Sequence, residues 1–421
     1  MTDPRRAQLT DLLRSCIECG LCLPHCATYV ATGNEVHSPR GRLLLLGDVL
    51  EAPLTAAPSY LEAFDVCIGC RACETACPSG VPFSLLAWGQ DLATARGVGR
   101  GPGWLRPVVD RLDNPDLLRV LRVTSGAARR VLRWVAGPRW RHRLHGTGRM
   151  VRLLGSLPAG PARDTALVRQ LNALTGLTVA PPPRAPEVGA DAPPVVFFRG
   201  CANEGLLPHT SRRLLDILAR AGYRVVTADG QDCCGALAAH SGRPGRAAGL
   251  RRRNTSALRD TRGPVLVEAA GCGQELSGYT DPVAHRVEDA AAFLSRSHLP
   301  ALGHLPLKVV LHDPCHARHG QNLVAEPRAL LRRIPGLELV EAVEEEVCCG
   351  SGGVWSLRHG DLSEQLGRRK AQHLAATGAQ LAVTTNPGCL GQIADGLARD
   401  GHGLPLIPLT DLIWYAVAAG C

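Results

Sequence analysis

Sixteen of the seventeen cysteines in this chain fall into four quartets, and two of the quartets share one spacing. Cys16, Cys19, Cys22 and Cys26 are answered by Cys67, Cys70, Cys73 and Cys77, each set reading C-x-x-C-x-x-C-x-x-x-C, with Pro78 next in the chain. Gaps of two residues let one loop wrap an iron–sulfur cube and offer it three thiolates and backbone N–H groups, so two [4Fe–4S] clusters are expected. Gly20 and Gly69 are expected where the loops need unusual dihedrals or close approach, and Pro24 and Pro78 where the chain leaves them. Single C-x-x-C pairs also build structural zinc sites and disulfide frameworks. Two matched quartets without disulfide-type scatter favour the cubes over both. His25 and His37 lie nearby in sequence and read as surface or packing residues rather than ligands.

The remaining eight are placed alike in two copies of one unit. Cys201, Cys233, Cys234 and Cys272 recur as Cys315, Cys348, Cys349 and Cys389 at offsets of 114, 115, 115 and 117 residues, and a near-constant offset marks a duplication. Each vicinal pair is followed by a glycine, Gly235 or Gly350, which permits the sharp turn that aims two adjacent sulfurs into one site. Buried structural cysteines are the plain alternative, but matched placement of all eight is hard to derive from packing. A metal is favoured more in the second copy, where His312, Asp313 and His316 crowd Cys315. Those histidines equally suit hydrogen bonding to cluster sulfurs or plain core positions.

Helices and strands of suitable spacing flank every quartet. Residues 5–15, with Leu9, Leu12 and Leu13 on one side, read as an amphipathic helix entering the first loop; a leucine-rich helix over 43–50 follows Ser38-Pro39-Arg40-Gly41-Arg42, and a helix over 59–66 delivers the second loop. Arg40 and Arg42 read as solvated or cluster-shielding charges. Residues 92–180 read as interrupted amphipathic helices that scaffold partner subunits, and the basic face of Arg129, Arg130, Arg133, Arg139, Arg141 and Arg143 suits solvent better than anionic lipid. A proline-rich linker over 180–194 marks a boundary. Beyond it, strands at 195–198, 223–227 and 265–267 with a helix over 211–221 recur as strands at 308–311, 337–340 and 381–383 with a helix over 326–333. Short apolar strands alternating with helices imply α/β units with a mostly parallel sheet, and cysteines at strand ends lie where such sheets hold ligands.

At 421 residues the chain should form two or three domains. Its opening, MTDPRRAQLTDLLRSC, is charged and has no apolar core, so no signal peptide is expected and the cysteines are expected in a reducing compartment. No apolar run reaches the length of a bilayer span. The net charge of +9 comes largely from arginine, but with 4% aromatic residues and no recognition motif, nucleic acid is not an expected partner. No G-x-G-x-x-G opens a helix after a strand, so a flavin is expected on another polypeptide.

The spacing of the N-terminal quartets resembles that of bacterial two-cluster ferredoxins, in which the fourth cysteine reaches across to the other cube. That resemblance implies Cys16, Cys19, Cys22 and Cys77 for one cluster and Cys67, Cys70, Cys73 and Cys26 for the second. Over nearly the whole chain, CIECGLCLPHC, SPRGR, CIGCRACETACPSGV, the CCG motifs at Cys233 and Cys348, and the GCG and NPGC signatures at Cys272 and Cys389 resemble the iron–sulfur subunits of bacterial glycolate oxidase. More widely they resemble the cysteine-rich-domain family to which a heterodisulfide reductase component belongs. The resemblance implies a mixed α+β and α/β fold: a helix-rich two-cluster ferredoxin-like domain (residues 1–91), a helical Arg/Pro-rich connecting region (92–194), and duplicated α/β cysteine-rich domains (195–305 and 306–421).

It also implies an electron-transfer subunit in a hetero-oligomer, taking electrons from FAD-containing glycolate oxidase subunits towards a quinone-type acceptor. The expected location is the cytoplasm, in peripheral contact with the inner face of the cell membrane. There is one departure from the wider family: its repeats end in C-x-x-C and bind a non-cubane cluster, whereas Glu275 and Gln392 stand three residues after Cys272 and Cys389 here. Each copy therefore keeps four cysteines for a further cluster or another metal, and disulfide chemistry is put in doubt. Heterodisulfide-reductase-like or lactate-utilisation chemistry at the repeats, and repeats that only scaffold, are the alternatives. Cys421 lies outside both repeats, so Cys421→Ala is expected to leave the iron content unchanged; an iron count below wild type would contradict this.

Overall fold

The computed structural model describes residues 4–51, 58–98, 111–136, 147–157 and 164–421. In the N-terminal head, helix Pro4–Leu13 leads to the first cysteine loop and helix Pro58–Asp65 to the second. The helix between them, Pro39–Glu51, begins earlier than its leucine run suggests because the SPRGR stretch is its start. Pro39 sits where a missing N–H costs nothing, and Ser38 Oγ accepts from the Gly41 N–H at 2.9 Å. A side chain at position 41 would run into the Glu35 carbonyl, so glycine is required there. Leu43, Leu46, Val49 and Leu50, three or four residues apart, form a stripe that meets Leu61, Phe64, Leu85 and Leu86 in one core.

Past the linker the chain forms two parallel sheets of identical topology. The first holds β1 (Pro194–Phe197), β2 (Arg224–Val226), β3 (Val265–Val267) and β4 (Val287–Asp289) in the order β2-β1-β3-β4. The second holds β5 (Lys308–His312), β6 (Glu338–Val340), β7 (Leu381–Thr384) and β8 (Leu406–Pro408) in the order β6-β5-β7-β8. β4 and β8 are strands that the sequence pattern does not disclose. Each is three residues long, one interrupted by Glu288 and the other ending on a proline.

The middle strands are apolar on both sides, as parallel strands covered by helices must be. Val195 and Phe197 share one core with Val309 and Leu311, so the two sheets face a common apolar layer that also takes Ile217, Leu330 and Ile413. Val196 and Phe198 turn the other way, towards the first repeat's cysteines, and Val310 turns towards Cys349 and Cys389. Strand order reverses between β1 and β3, which Cys201 and Cys272 follow, and between β5 and β7, which Cys315 and Cys389 follow. Open α/β sheets bind their ligands in the crevice at that reversal.

Helices Pro115–Ala136 and Thr147–Ser156 belong to the region expected to scaffold partners, yet they pack on this chain's own repeats. Arg152 is buried and pairs with Glu364 at 2.9 Å and Asp395 at 3.1 Å; Arg149 donates to Ser363 Oγ at 2.6 Å. The side chains of Arg129, Arg130 and Arg133, with Arg139, Arg141 and Arg143, lie outside the described residues. Among the described residues no helix is long and apolar enough to cross a membrane.

Two buried charges give tests of this packing. Arg152→Ala removes the buried arginine that bridges Asp395 and Glu364 and should cost about 3–5 kcal/mol in urea unfolding, whereas a loss under about 1 kcal/mol would make the pair no better than a surface one. Glu268, just past β3, accepts from Ser211 Oγ at 2.5 Å and Asn203 Nδ2 at 3.1 Å, and desolvation raises its pKa from 4.5 to about 7. The folded chain favours the protonated acid, so this stabilisation is full below pH 4.5 and lost as pH rises to about 7. Glu268→Gln should remove a pH-dependent loss on the order of 3 kcal/mol across that window. Equal slopes of unfolding free energy against pH in variant and wild type would contradict it.

Candidate metal centres

Two adjacent cavities in the head receive the first eight cysteines. One is lined by Cys16, Cys19, Cys22 and Cys77, the other by Cys26, Cys67 and Cys70; Cys73, Pro39, Phe83 and Leu86 line both and stand between them. Each remote fourth cysteine is thus carried across to the other loop's three. The two loops share one backbone course, with left-handed φ at their third and fifth residues: Glu18 (55°) and Gly20 (78°) in the first, Gly69 (75°) and Arg71 (65°) in the second. Each loop supplies glycine at only one of the two positions, and not the same one. Arg71 is held in its turn by Glu74 at 2.7 Å, and Arg40 donates to the Glu18 carbonyl at 2.9 Å.

Such turns aim successive N–H groups into a concavity that suits anions, sulfides included. The amides of Gly69 and Ala72 reach the sulfurs of Cys67 and Cys70, and the Val81 N–H donates to Cys77 Sγ at 3.4 Å. Burial pushes the Cys22 thiol up to about 11 and raises Cys67, Cys70 and Cys73 as well. Buried thiols of this kind keep their protons unless a cation is bound beside them, and a coordinated cation removes them outright. Arg42, left by sequence between a solvated and a shielding role, is buried and shields: it donates to the Ala63 carbonyl at 2.6 Å, Thr28 Oγ1 at 2.9 Å and Cys26 Sγ at 3.8 Å. Donor set, turns and amides together fit a [4Fe–4S] cube in each cavity. His25 pairs with Glu346 at 3.6 Å, and His37 offers the cysteines only its carbonyl, 3.5 Å from Cys26 Sγ.

The second loop is clamped onto the repeats. Trp355 Nε1 donates to the Val66 carbonyl at 3.0 Å, His316 Nε2 lies 3.4 Å from the Gly69 carbonyl, and Arg358 holds Asp65 at 2.6 Å. Ile68 shares a core with Cys348 and Trp355. From the other side, His240 stacks on His316 with ring centroids 5.4 Å apart, its Nδ1 3.6 Å from where a Gly69 side chain would begin. His240 and Trp355 are equivalents, each five residues after the glycine of its CCG motif. Neither residue stands out in the sequence by its type, although the constant offset that pairs the cysteines pairs these positions too. The first loop, by contrast, faces outward: Cys19 is exposed, with Ile17 and Leu21 at 68% and 55% exposure.

All eight repeat cysteines line one cavity of about 270 Å³ between the repeats. Leu112, Leu118, Leu153 and Leu154 of the connecting region wall it, together with Ile68. Within each repeat the sulfurs form a chain, starting from Cys201–Cys233 at 3.3 Å and Cys315–Cys348 at 3.8 Å and running on through Cys234 to Cys272 and Cys349 to Cys389. Hydrogen bonds from Cys201 and Cys234 hold the Cys233 thiol well below its usual range and push those two neighbours up. The expected crowd at Cys315 is dispersed. Asp313 is taken by Arg318 at 2.6 Å and Arg328 at 3.0 Å, His316 turns to the second loop, and His312 lies with Cys349 and Cys389, their ligand atoms all within 4.8 Å of one another. Where the wider family has a fifth cysteine, Glu275 pairs with Arg251 at 3.5 Å and Gln392 donates to the Ser363 carbonyl at 2.5 Å. Cys421 is exposed and lines none of these cavities.

Comparison with known proteins matches the 4Fe-4S dicluster domain to residues 12–81 and the cysteine-rich domain to residues 195–277 and 309–394. The probable glycolate oxidase iron-sulfur subunit of Bacillus subtilis is 31% identical over 433 residues, covering 96% of this chain and 94% of that protein. The glycolate oxidase iron-sulfur subunit of Escherichia coli is 30% identical over 414 residues, covering 93% of this chain and 92% of that protein. A fumarate reductase (CoM/CoB) subunit of Methanothermobacter marburgensis is 35% identical over 214 residues, 49% of this chain and 43% of that one.

Proposed function

The chain belongs to the family of glycolate oxidase iron–sulfur subunits, and we propose that it carries electrons in a complex that oxidises glycolate or a similar 2-hydroxy acid, from a flavin-bearing partner towards a quinone-type acceptor. Cys16, Cys19, Cys22 and Cys77 would hold one [4Fe–4S] cluster and Cys67, Cys70, Cys73 and Cys26 the other. When bound, such clusters supply one-electron redox chemistry, which a two-electron flavin donor needs for stepwise discharge.

The observation that carries this reading is the clamp on the second loop. A relay needs one end open to its donor and the other continuous with the site of its acceptor. The exposed Ile17, Cys19 and Leu21 support docking of the donor at the first loop. The Val66–Gly69 turn, held by Trp355 and His316, supports delivery into the inter-repeat cavity, whose leucine walls suit an apolar quinone ring. Phe83 and Leu86 stand between the two sets of thiols, and Arg42 adds a fixed positive charge beside Cys26 that would raise the potential of whatever that sulfur binds. The same reading has the complex in the cytoplasm against the inner face of the membrane, where a quinone is reached. A second reading, chemistry at the repeats themselves, is favoured by the eight sulfurs that face one cavity.

Cys70→Ser is expected to cut acceptor reduction by the complex at least tenfold while glycolate still reduces the partner's flavin. A wild-type rate of acceptor reduction in that variant would overturn the relay. In the same chain Cys77→Ser should alter the electron paramagnetic resonance of one cluster and Cys26→Ser that of the other; one and the same signal lost in both would refute the crossed assignment.

A further inference from the structure

The duplication allows the two cysteine repeats to be compared position by position, and they differ just behind the sulfurs. Three residues before the first cysteine of each repeat stands Phe198 in one and His312 in the other. Phe198 is buried in an apolar cluster with Cys201, Cys233, Cys234 and Cys272. His312, at the end of β5, is 2% exposed, and its Nε2 has no hydrogen-bond partner. A buried ring nitrogen without a partner is costly in an apolar interior, and in a native structure it asks for an unseen one.

The partner is suggested by what stands beside it. A ring nitrogen of His312 and the sulfurs of Cys349 and Cys389 all lie within 4.8 Å of one another, and all three residues are buried. Two thiols and an imidazole at that separation make a donor set for a borderline-soft divalent cation, for which zinc is the usual occupant. We propose that the second repeat, and not the first, binds a mononuclear divalent cation of the zinc class through His312, Cys349 and Cys389.

The surroundings fit ligation. Asn386 Nδ2 donates to Cys389 Sγ at 3.4 Å, which fixes that sulfur's direction, and the buried side chain of Lys370 lies near Cys348 and Cys349. Cys349 and Cys389 line the inter-repeat cavity while His312 stands behind them, so the fourth coordination position opens on the cavity. Three protein ligands with an open fourth position are the arrangement of zinc sites that meet a substrate rather than of purely structural ones. The centre needs neither the partner subunits nor a particular acceptor, and so it stands apart from the relay reading.

The test uses the full chain, purified without oxygen, as wild type and as His312→Phe, the residue that the fold already accommodates at the equivalent place in the first repeat. Zinc, iron and acid-labile sulfide are counted per chain, and both proteins are loaded with Co²⁺ for absorption spectroscopy. The proposal expects one divalent equivalent in wild type that His312→Phe loses with iron and sulfide unchanged, and thiolate-to-cobalt charge-transfer bands that disappear with it. Equal cation counts and equal cobalt spectra in the two proteins would overturn it. A loss of sulfide in step with the metal would also overturn it, because the group would then be a cluster. If His312→Phe does not fold, His312→Gln, which keeps polarity and size, is read in the same way.

Discussion

A thiolate can be buried only beside positive charge, and most cysteines of this chain are buried. That constraint organises the structure around them. Where metal cations are expected, the backbone adds N–H groups from left-handed turns, and beside some of the buried sulfurs a side-chain cation is built in, Arg42 by Cys26 and Lys370 near Cys348 and Cys349. Five of the arginines lie inside the fold rather than on solvated faces. Arg42, Arg149, Arg152, Arg213 and Arg328 are all buried, each with named acceptors.

The duplication does two different jobs. Where the copies agree, they act as a pair: equivalent positions 240 and 355 approach the same turn of the head, and the matched cysteine chains meet at a single cavity. A lone α/β repeat could not enclose that cavity, because its cysteines lie at the open end of its sheet; the second copy supplies the opposite wall. Where the copies disagree, the difference concerns chemistry. Exchanging Phe198 for His312 keeps a planar side chain at the strand end and adds a donor atom. A duplicated fold can in this way differentiate one site without disturbing the shared core, since the changed residue lies on the sheet face away from Val309 and Leu311.

How far the sequence could be read depended on whether a feature is local. Cysteine spacing is a local property, and it was enough to expect two loops with glycine-dependent turns at Gly20 and Gly69, both of which have positive φ. It did not disclose that Glu18 and Arg71 adopt the same conformation, because neither residue type signals it and their hydrogen-bonding and ionic partners are distant or conditional on the fold. Short apolar strands were visible, but β4 and β8 were not: broken by Glu288 or closed by Pro408, they are specified by pairing to β3 and β7 rather than by pattern. The crowd expected at Cys315 failed for a related reason. β5 ends on His312 and Asp313 follows it, and the two part company, one to the sulfurs and one to the arginines.

The contrast between the two loops of the head follows from the same physics and bears on direction. Exposure to water favours the more charged state of any redox group, and enclosure among apolar walls with fixed dipoles favours the less charged one. The first loop is open at Cys19 and flanked by exposed apolar residues, whereas the second lies under Ile68, Trp355 and the His240–His316 stack with Arg42 behind it. A group held by the first set of thiols therefore sits in wetter surroundings than one held by the second, which has both apolar cover and a buried cation. Reduction adds negative charge, so the buried guanidinium stabilises the reduced state of the second group, and burial in the apolar wall opposes it. Arg42 touches Cys26 directly, with nothing but its own hydrogen bonds to compete, so its contribution is the specific one. The apolar wall and the guanidinium thus act in opposite senses on the second group, and Arg42 supplies the one that favours its reduced state.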